Sequence, residues 1–187
     1  AVALAVPLLL PALLPGLCRA LLAPLRGPSV VLARGTIRSA RHPHWFPSLT
    51  REGAPAAMST TGNEHTHLVL RGGTSGPNHH AEAVRAVVAL LAKNGIPGRV
   101  VIDCSHANSG KDPSRQPAVA AEIAAQIAAG ERAIAGVMLE SHLLGGAQEY
   151  QAKPLVYGRS ITDACLSWEQ TLPVFGVLAD AVKRSRS

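Results

Sequence analysis

Aromatic residues make up only 3% of this 187-residue chain, and cysteine occurs three times, at Cys18, Cys104 and Cys165. Those spacings give neither a Cys-x-x-Cys zinc pattern nor an even set for disulfides, so a disulfide-stapled secreted scaffold is excluded and a reducing cytoplasm is the expected setting. Acidic residues are absent from residues 1–51, which hold six arginines: Arg19, Arg26, Arg34, Arg38, Arg41 and Arg51. Residues 52–187 hold twelve Lys/Arg against twelve Asp/Glu, so the formal net charge of +6 comes wholly from the N-terminal stretch. A basic chain invites a nucleic-acid reading. The neutral remainder has no basic face interleaved with aromatics, and no nucleic-acid partner is expected.

A membrane segment is also lacking. The apolar start is interrupted by Pro7, Pro11 and Pro15, has no charged residue ahead of it, and contains no Pro-free run near the roughly 20 residues needed to span a bilayer. Because the chain begins with Ala rather than Met, the expected reading is a partial sequence. On that reading residues 1–41 are a low-complexity Arg/Pro/Leu-rich segment foreign to the fold, and residues 42–187 are a genuine domain. A targeting segment is the second reading of residues 1–41.

What is present is a regular pattern from His42 onward. Apolar runs at His44–Leu49, His67–Leu70, Arg99–Ile102 and Ile134–Leu139 alternate with helical stretches at Ala81–Asn94 and Pro117–Ala129, each followed by a glycine, Gly95 or Gly130. Strand–helix alternation predicts a parallel α/β architecture. The runs are apolar at consecutive positions, as in strands buried on both faces. Val84, Val87, Val88 and Leu91, then Ile123 and Ile127, fall at helical spacing and are expected to face the sheet. Leu172–Val182 reads as a closing helix.

Polar clusters close these runs: Asp103-Cys104-Ser105-His106-Ala107-Asn108-Ser109, Glu140-Ser141-His142, and Ser160-Ile161-Thr162-Asp163-Ala164-Cys165. They offer an imidazole and two carboxylates, ligand types for a hard or borderline divalent metal. A fourth cluster, Leu68-Val69-Leu70-Arg71-Gly72-Gly73, ends a run with a guanidinium suited to a carboxylate or phosphate. Each has a plainer role. His106 could satisfy a loop carbonyl, Asp163 could cap a helix, and Arg71 could be a surface side chain. Glu140 is harder to explain plainly, since a carboxylate ending so apolar a strand is costly unless paired or metal-bound. His79, His80, Lys111 and Arg159 are expected to be solvated, and Trp45 and Trp168 to lie in the core or an interface.

The motifs LRGG, PN, VIDCSHANSGKD, GVMLESHL and YGRSITDACLSWE, from about His42 to Arg186, resemble the C-terminal half of class I 3-deoxy-D-arabino-heptulosonate 7-phosphate (DAHP) synthases. That resemblance implies strands five to eight of a (β/α)8 barrel, with the clusters on its C-terminal rim. It implies His106, Glu140 and Asp163 as three of four metal ligands, the ion being Mn, Fe, Co or Zn. Arg71 would bind phosphoenolpyruvate, His106 would act with it in catalysis, and Asp163 would lie against substrate. The reaction implied is the aldol-type condensation of phosphoenolpyruvate with erythrose 4-phosphate, the first step of the shikimate pathway, in a homo-oligomer when full length. The family's fourth ligand is a cysteine from the first strand, and none of Cys18, Cys104 and Cys165 can be assigned that role. The family's KPR loop for the sugar phosphate is absent too, so a non-catalytic remnant is the alternative.

Overall fold

The computed structural model describes residues 28–151 and 153–186. Cys18, Pro7, Pro11, Pro15, Arg19 and Arg26, and with them most of the expectations for the N-terminal segment, lie outside the described residues. Among the described residues no helix is long and apolar enough to cross a membrane. The chain divides into two compact units between Thr66 and His67.

In the first unit, α1 (Pro28–Arg41) is followed by two strands, β1 (Trp45–Leu49) and β2 (Pro55–Ser59). These strands form an antiparallel hairpin, with Trp45 opposite Ser59 and Leu49 opposite Pro55. The run at His44–Leu49 is therefore not a strand of a parallel sheet. Gly53 adopts φ +84, a conformation that costs glycine little, and its N–H donates to Thr50 O at 3.0 Å. The chain thus reverses within five residues, which a parallel connection cannot do. Trp45 is 75% exposed, not in a core. The segment that follows the hairpin is joined to α1 by Asn63 N–H donating to Ala40 O at 2.8 Å.

The second unit contains β3 (Leu68–Leu70), α2 (Ala81–Lys93), β4 (Val100–Asp103), a 3-10 turn at Pro113–Arg115, α3 (Gln116–Ala128) and β5 (Ile134–Met138). The three strands form one parallel sheet in the order β3-β4-β5. The predicted strand–helix alternation is correct here. Leu70, Val84, Val100, Ile102 and Ile123 are buried almost completely, and Ile127 is half-buried. Gly95 (φ +65) and Gly130 (φ +97) follow the two helices, in the left-handed conformation that glycine tolerates at a helix end. Only β4 is nearly buried throughout; Val69 on β3 is 47% exposed, because among the described residues β3 and β5 each pair with β4 alone.

The chain then becomes irregular. β6 (Ser141–His142), β7 (Leu144–Ala147), β8 (Arg159–Ser160) and β9 (Leu166–Ser167) are short, pairing β6 with β9 and β7 with β8. The last helix, α4 (Trp168–Arg184), packs against α3. It starts four residues before the expected Leu172 because Ser167 closes a capping box: Gln170 N–H donates to Ser167 Oγ at 3.2 Å and Ser167 N–H to Gln170 Oε1 at 2.9 Å. Cys165 lies before β9, outside the helix, and Asp163 does not cap it, so the plainer role for Asp163 falls away. Trp168 is 48% exposed and meets Phe175 edge-on, with ring centroids 6.1 Å apart.

Candidate metal centre

His106, Glu140 and Asp163 come together. One ligand atom from each lies within 4.8 Å of the other two, and His106 Nε2 is 3.6 Å from Glu140 Oε1. His106 follows β4 and Glu140 follows β5 by two residues, so neighbouring strands of one sheet deliver both. Asp163 is delivered differently, from the bend between β8 and β9.

The imidazole is held in one orientation by a residue that sequence reasoning left unused. Asp103 Oδ2 accepts a bond from His106 Nδ1 at 2.7 Å, while Asp103 Oδ1 accepts from Ser105 N–H at 2.8 Å and Ser105 Oγ–H at 2.6 Å. With its proton engaged at Nδ1, the ring presents the Nε2 lone pair toward Glu140. This carboxylate–histidine pairing is the usual support for a metal-ligating imidazole. His106 takes φ +52, an uncommon conformation for a residue with a side chain. A carboxylate three residues before a histidine at a strand tip was the available signal.

Glu140 is fixed through its backbone. Buried Gln116 accepts from Glu140 N–H at 2.8 Å and donates to Glu140 O at 3.2 Å, and the same carbonyl accepts Leu166 N–H at 2.9 Å. The loop carrying Asp163 is thereby fastened beside Glu140. Burial pushes the Glu140 carboxyl above its usual range; His106 opposes this, and the charges of Asp163 and Asp103 reinforce it. Three carboxylates crowd one imidazole, and the arrangement is relieved by a cation. One nitrogen and two carboxylate oxygens fit a divalent metal of the hard or borderline kind.

Arg71 follows β3 and is half-buried, with no ion-pair partner among the described residues. Its loop lies against the one that carries His106. Gly72 has φ +73, and a Cβ placed there would meet Ala107 Cβ at 2.8 Å, so no larger residue fits. Gly72 N–H donates to Asn78 Oδ1 at 2.7 Å, Asn78 N–H to Asn108 Oδ1 at 2.8 Å, and Asn108 Nδ2 to Leu70 O at 3.1 Å and Asp103 O at 2.7 Å. Asn78 and Asn108 thus lock the two loops together, a role not anticipated for either.

Neither described cysteine joins the three-residue cluster. Cys104 is fully buried, and burial, with the nearby Asp103 charge, pushes its thiol up to about 12. Burial also raises the Cys165 thiol, and both are free cysteines. Lys111 and Arg159 are exposed, as expected. His79 is not: it is buried at 5% exposure, and Glu122 on α3, which the sequence did not single out, binds both it and His80.

A sequence model of the DAHP synthetase I family matches residues 26–174, so the match includes α1. The chain is 44% identical over 167 residues to a phospho-2-dehydro-3-deoxyheptonate aldolase of Corynebacterium glutamicum, covering 85% of this chain and 45% of that protein. It is 46% identical over 159 residues to the Phe-sensitive enzyme of that name from Escherichia coli K12, covering 84% of this chain and 45% of the relative. Among solved structures, the phospho-2-dehydro-3-deoxyheptonate aldolase of Francisella tularensis superposes with a TM-score of 0.79 at 45% identity, over 84% of this chain and 46% of that one. The chain therefore spans less than half the length of these relatives. With the family match extending over most of its residues, the chain belongs to the DAHP synthetase I family.

Proposed function

We propose that this chain supplies the metal-binding and phosphoenolpyruvate-binding half of an enzyme that condenses phosphoenolpyruvate with D-erythrose 4-phosphate to DAHP and phosphate. The observation that carries this reading is the convergence of His106, Glu140 and Asp163 within 4.8 Å beside the loop that bears Arg71. On this reading the parallel β3-β4-β5 sheet is part of a (β/α)8 barrel whose other strands lie in the rest of the full-length protein. That protein would be a cytoplasmic homo-oligomer, with no nucleic-acid or membrane partner.

His106, Glu140 and Asp163 would hold one Mn, Fe, Co or Zn ion. Bound there, a divalent ion supplies Lewis-acid polarisation of the aldehyde oxygen of erythrose 4-phosphate. Asp103 keeps the His106 proton on Nδ1, so Nε2 remains a lone-pair donor. Arg71 clamps an anionic end of phosphoenolpyruvate, aligning its C3 with the aldehyde carbon and turning an encounter into an oriented pair. As C3 bonds to that carbon, water adds at C2, and phosphate then leaves. Asp163, the most exposed of the three, would also meet substrate.

The test is to graft residues from about His42 onward onto the N-terminal half of a family member and to measure phosphoenolpyruvate consumption with and without erythrose 4-phosphate. Consumption dependent on erythrose 4-phosphate is expected from the graft and not from this chain by itself. An inactive but folded graft would favour a non-catalytic remnant.

A further inference from the structure

We propose that His79, His80 and Glu122 form a second divalent-metal site, one for a borderline transition ion such as Zn²⁺, Co²⁺ or Ni²⁺, separate from the centre at His106. His79 and His80 end the loop that follows β3, and His80 immediately precedes α2 with extended backbone and no side-chain capping bond. Its imidazole is therefore not engaged in helix capping. Glu122 projects from α3 to meet both rings: His79 Nε2 is 3.1 Å from Oε2, and His80 Nδ1 is 2.7 Å from Oε1. One ligand atom from each residue lies within 4.8 Å of the other two.

Tetrahedral coordination with metal–nitrogen bonds of about 2.0–2.1 Å puts ligand atoms about 3.3 Å apart, so ligand atoms already within 4.8 Å of one another need only side-chain adjustment to take up an ion. Two imidazole nitrogens and a carboxylate favour a borderline transition metal over Mg²⁺ or Ca²⁺. Three protein ligands leave the fourth position to water.

Proton placement permits the exchange. The His79 side chain is only 6% exposed, and its Nδ1 is buried with no partner among the described residues. The ring can move its single proton to that nitrogen and free the Nε2 lone pair for a metal. His80 is 54% exposed at its side chain, so its other nitrogen can hold a proton against water. The two rings stand 4.1 Å apart, centroid to centroid. One metal ion would satisfy both nitrogens with the same carboxylate. Glu122 is kept below the usual carboxylate range: burial pushes it up, but the bond from His80 and the two imidazoles outweigh that push. It is therefore available as an anion.

The consequence would be structural. Gln126 Nε2 donates to His79 O at 2.8 Å, and the preceding Asn78 holds Gly72. An ion at this position would pin the loop that begins at Arg71 onto α3.

Equilibrium dialysis of the full chain against Zn²⁺ tests the site. The parent for comparison is the His106→Ala/Glu140→Gln variant, which removes the other cluster. It should retain one Zn²⁺ per chain, and adding His80→Ala and Glu122→Gln should abolish that ion. A parent that binds no Zn²⁺, or a quadruple variant that still binds it, overturns the proposal. A second measurement, independent of whether the quadruple variant folds, uses the parent alone. Co²⁺ should give the intense visible absorption of a four-coordinate site with nitrogen and oxygen ligands, and a weak six-coordinate spectrum would overturn it equally.

Discussion

His106 and Glu140 stand at the ends of adjacent strands in one parallel sheet, each braced by a buried polar side chain, Asp103 or Gln116. Asp163 stands in an exposed bend between two-residue strands. The first pair is positioned by the core itself, since shifting β4 or β5 would disturb Val100 and Ile102, both fully buried. The third group is positioned by a few backbone bonds, among them Leu166 N–H to Glu140 O at 2.9 Å and Gly146 N–H to Cys165 O at 2.8 Å. Packing thus fixes two-thirds of the candidate centre, and local hydrogen bonding fixes the remainder. The sheet-borne ligands should accordingly matter more for metal binding, and their surroundings should tolerate less change.

The largest effect is expected from Glu140→Gln. Removing a charged ligand from a three-ligand site should lower Mn²⁺ affinity by about a hundredfold or more, or roughly 3 kcal/mol. Asp163→Asn should cost less, because its exposed position can be taken over by water. Isothermal titration of both variants decides the matter. Equal binding by the wild type and Glu140→Gln would remove Glu140 from the ligand set, and a greater loss from Asp163→Asn would reverse the comparison. In both proteins affinity should fall with acidification, since protonated ligands do not bind metal. Because burial raises the Glu140 carboxyl, the wild type should lose affinity at a higher pH than an ordinary carboxylate site.

Two glycines carry the comparison into the backbone. Gly72 (φ +73) faces Ala107 with no room for a Cβ, whereas Gly146 (φ +83) has nothing within 4 Å. Alanine at either position bears a left-handed strain of about 1–2 kcal/mol. Gly72→Ala must also push the His106 loop aside, for a total of about 2–4 kcal/mol. Denaturant unfolding should rank Gly72→Ala well above Gly146→Ala. Equal costs would mean that the two loops separate easily and that the packing of Arg71's loop against His106's is incidental.

The same contrast explains what was legible in the sequence. Over residues 67–130 the apolar periods, the glycine stops and the strand-end clusters all arise from one repeated strand–helix unit. Sequence pattern records that kind of structure well, because burial selects residue type at fixed spacing. The candidate residues His106, Glu140 and Arg71 stand out in the sequence for the same reason, each ending an apolar run. Hydrogen-bond partners set by tertiary contact were not. Gln116 bonds to Glu140 across 24 positions, and Glu122 reaches His80 across 42; neither leaves a local pattern. The run at His44–Leu49 was misread because a five-residue apolar strand looks the same whether its partner is parallel or antiparallel. The turn at Gly53 held the answer.

Asp103→Asn tests the support of the sheet-borne ligand without removing a ligand. The amide keeps the side-chain shape but cannot hold the His106 Nδ1 proton as a carboxylate does. Mn²⁺ affinity should fall by about 10–100-fold. A purely structural role would instead lower the unfolding midpoint and leave affinity unchanged, so measuring both on one preparation separates the two.

The smallest effect is expected from Ser167→Ala, which probes how the Asp163 segment is held. Ser167 caps α4 by accepting Gln170 N–H at 3.2 Å, and loss of such a cap costs about 1 kcal/mol. The segment before it does not depend on that bond. Leu166 N–H is tied to Glu140 O, and Cys165 exchanges two backbone bonds with Gly146, at 2.8 and 3.2 Å. Ser167→Ala should therefore lower stability while Mn²⁺ affinity holds. If affinity falls together with stability, Asp163 is positioned by the start of α4 rather than by the bonds to Glu140 and Gly146. The loop-borne ligand would then rest on helix packing after all, and the contrast with His106 and Glu140 would narrow to a difference of exposure.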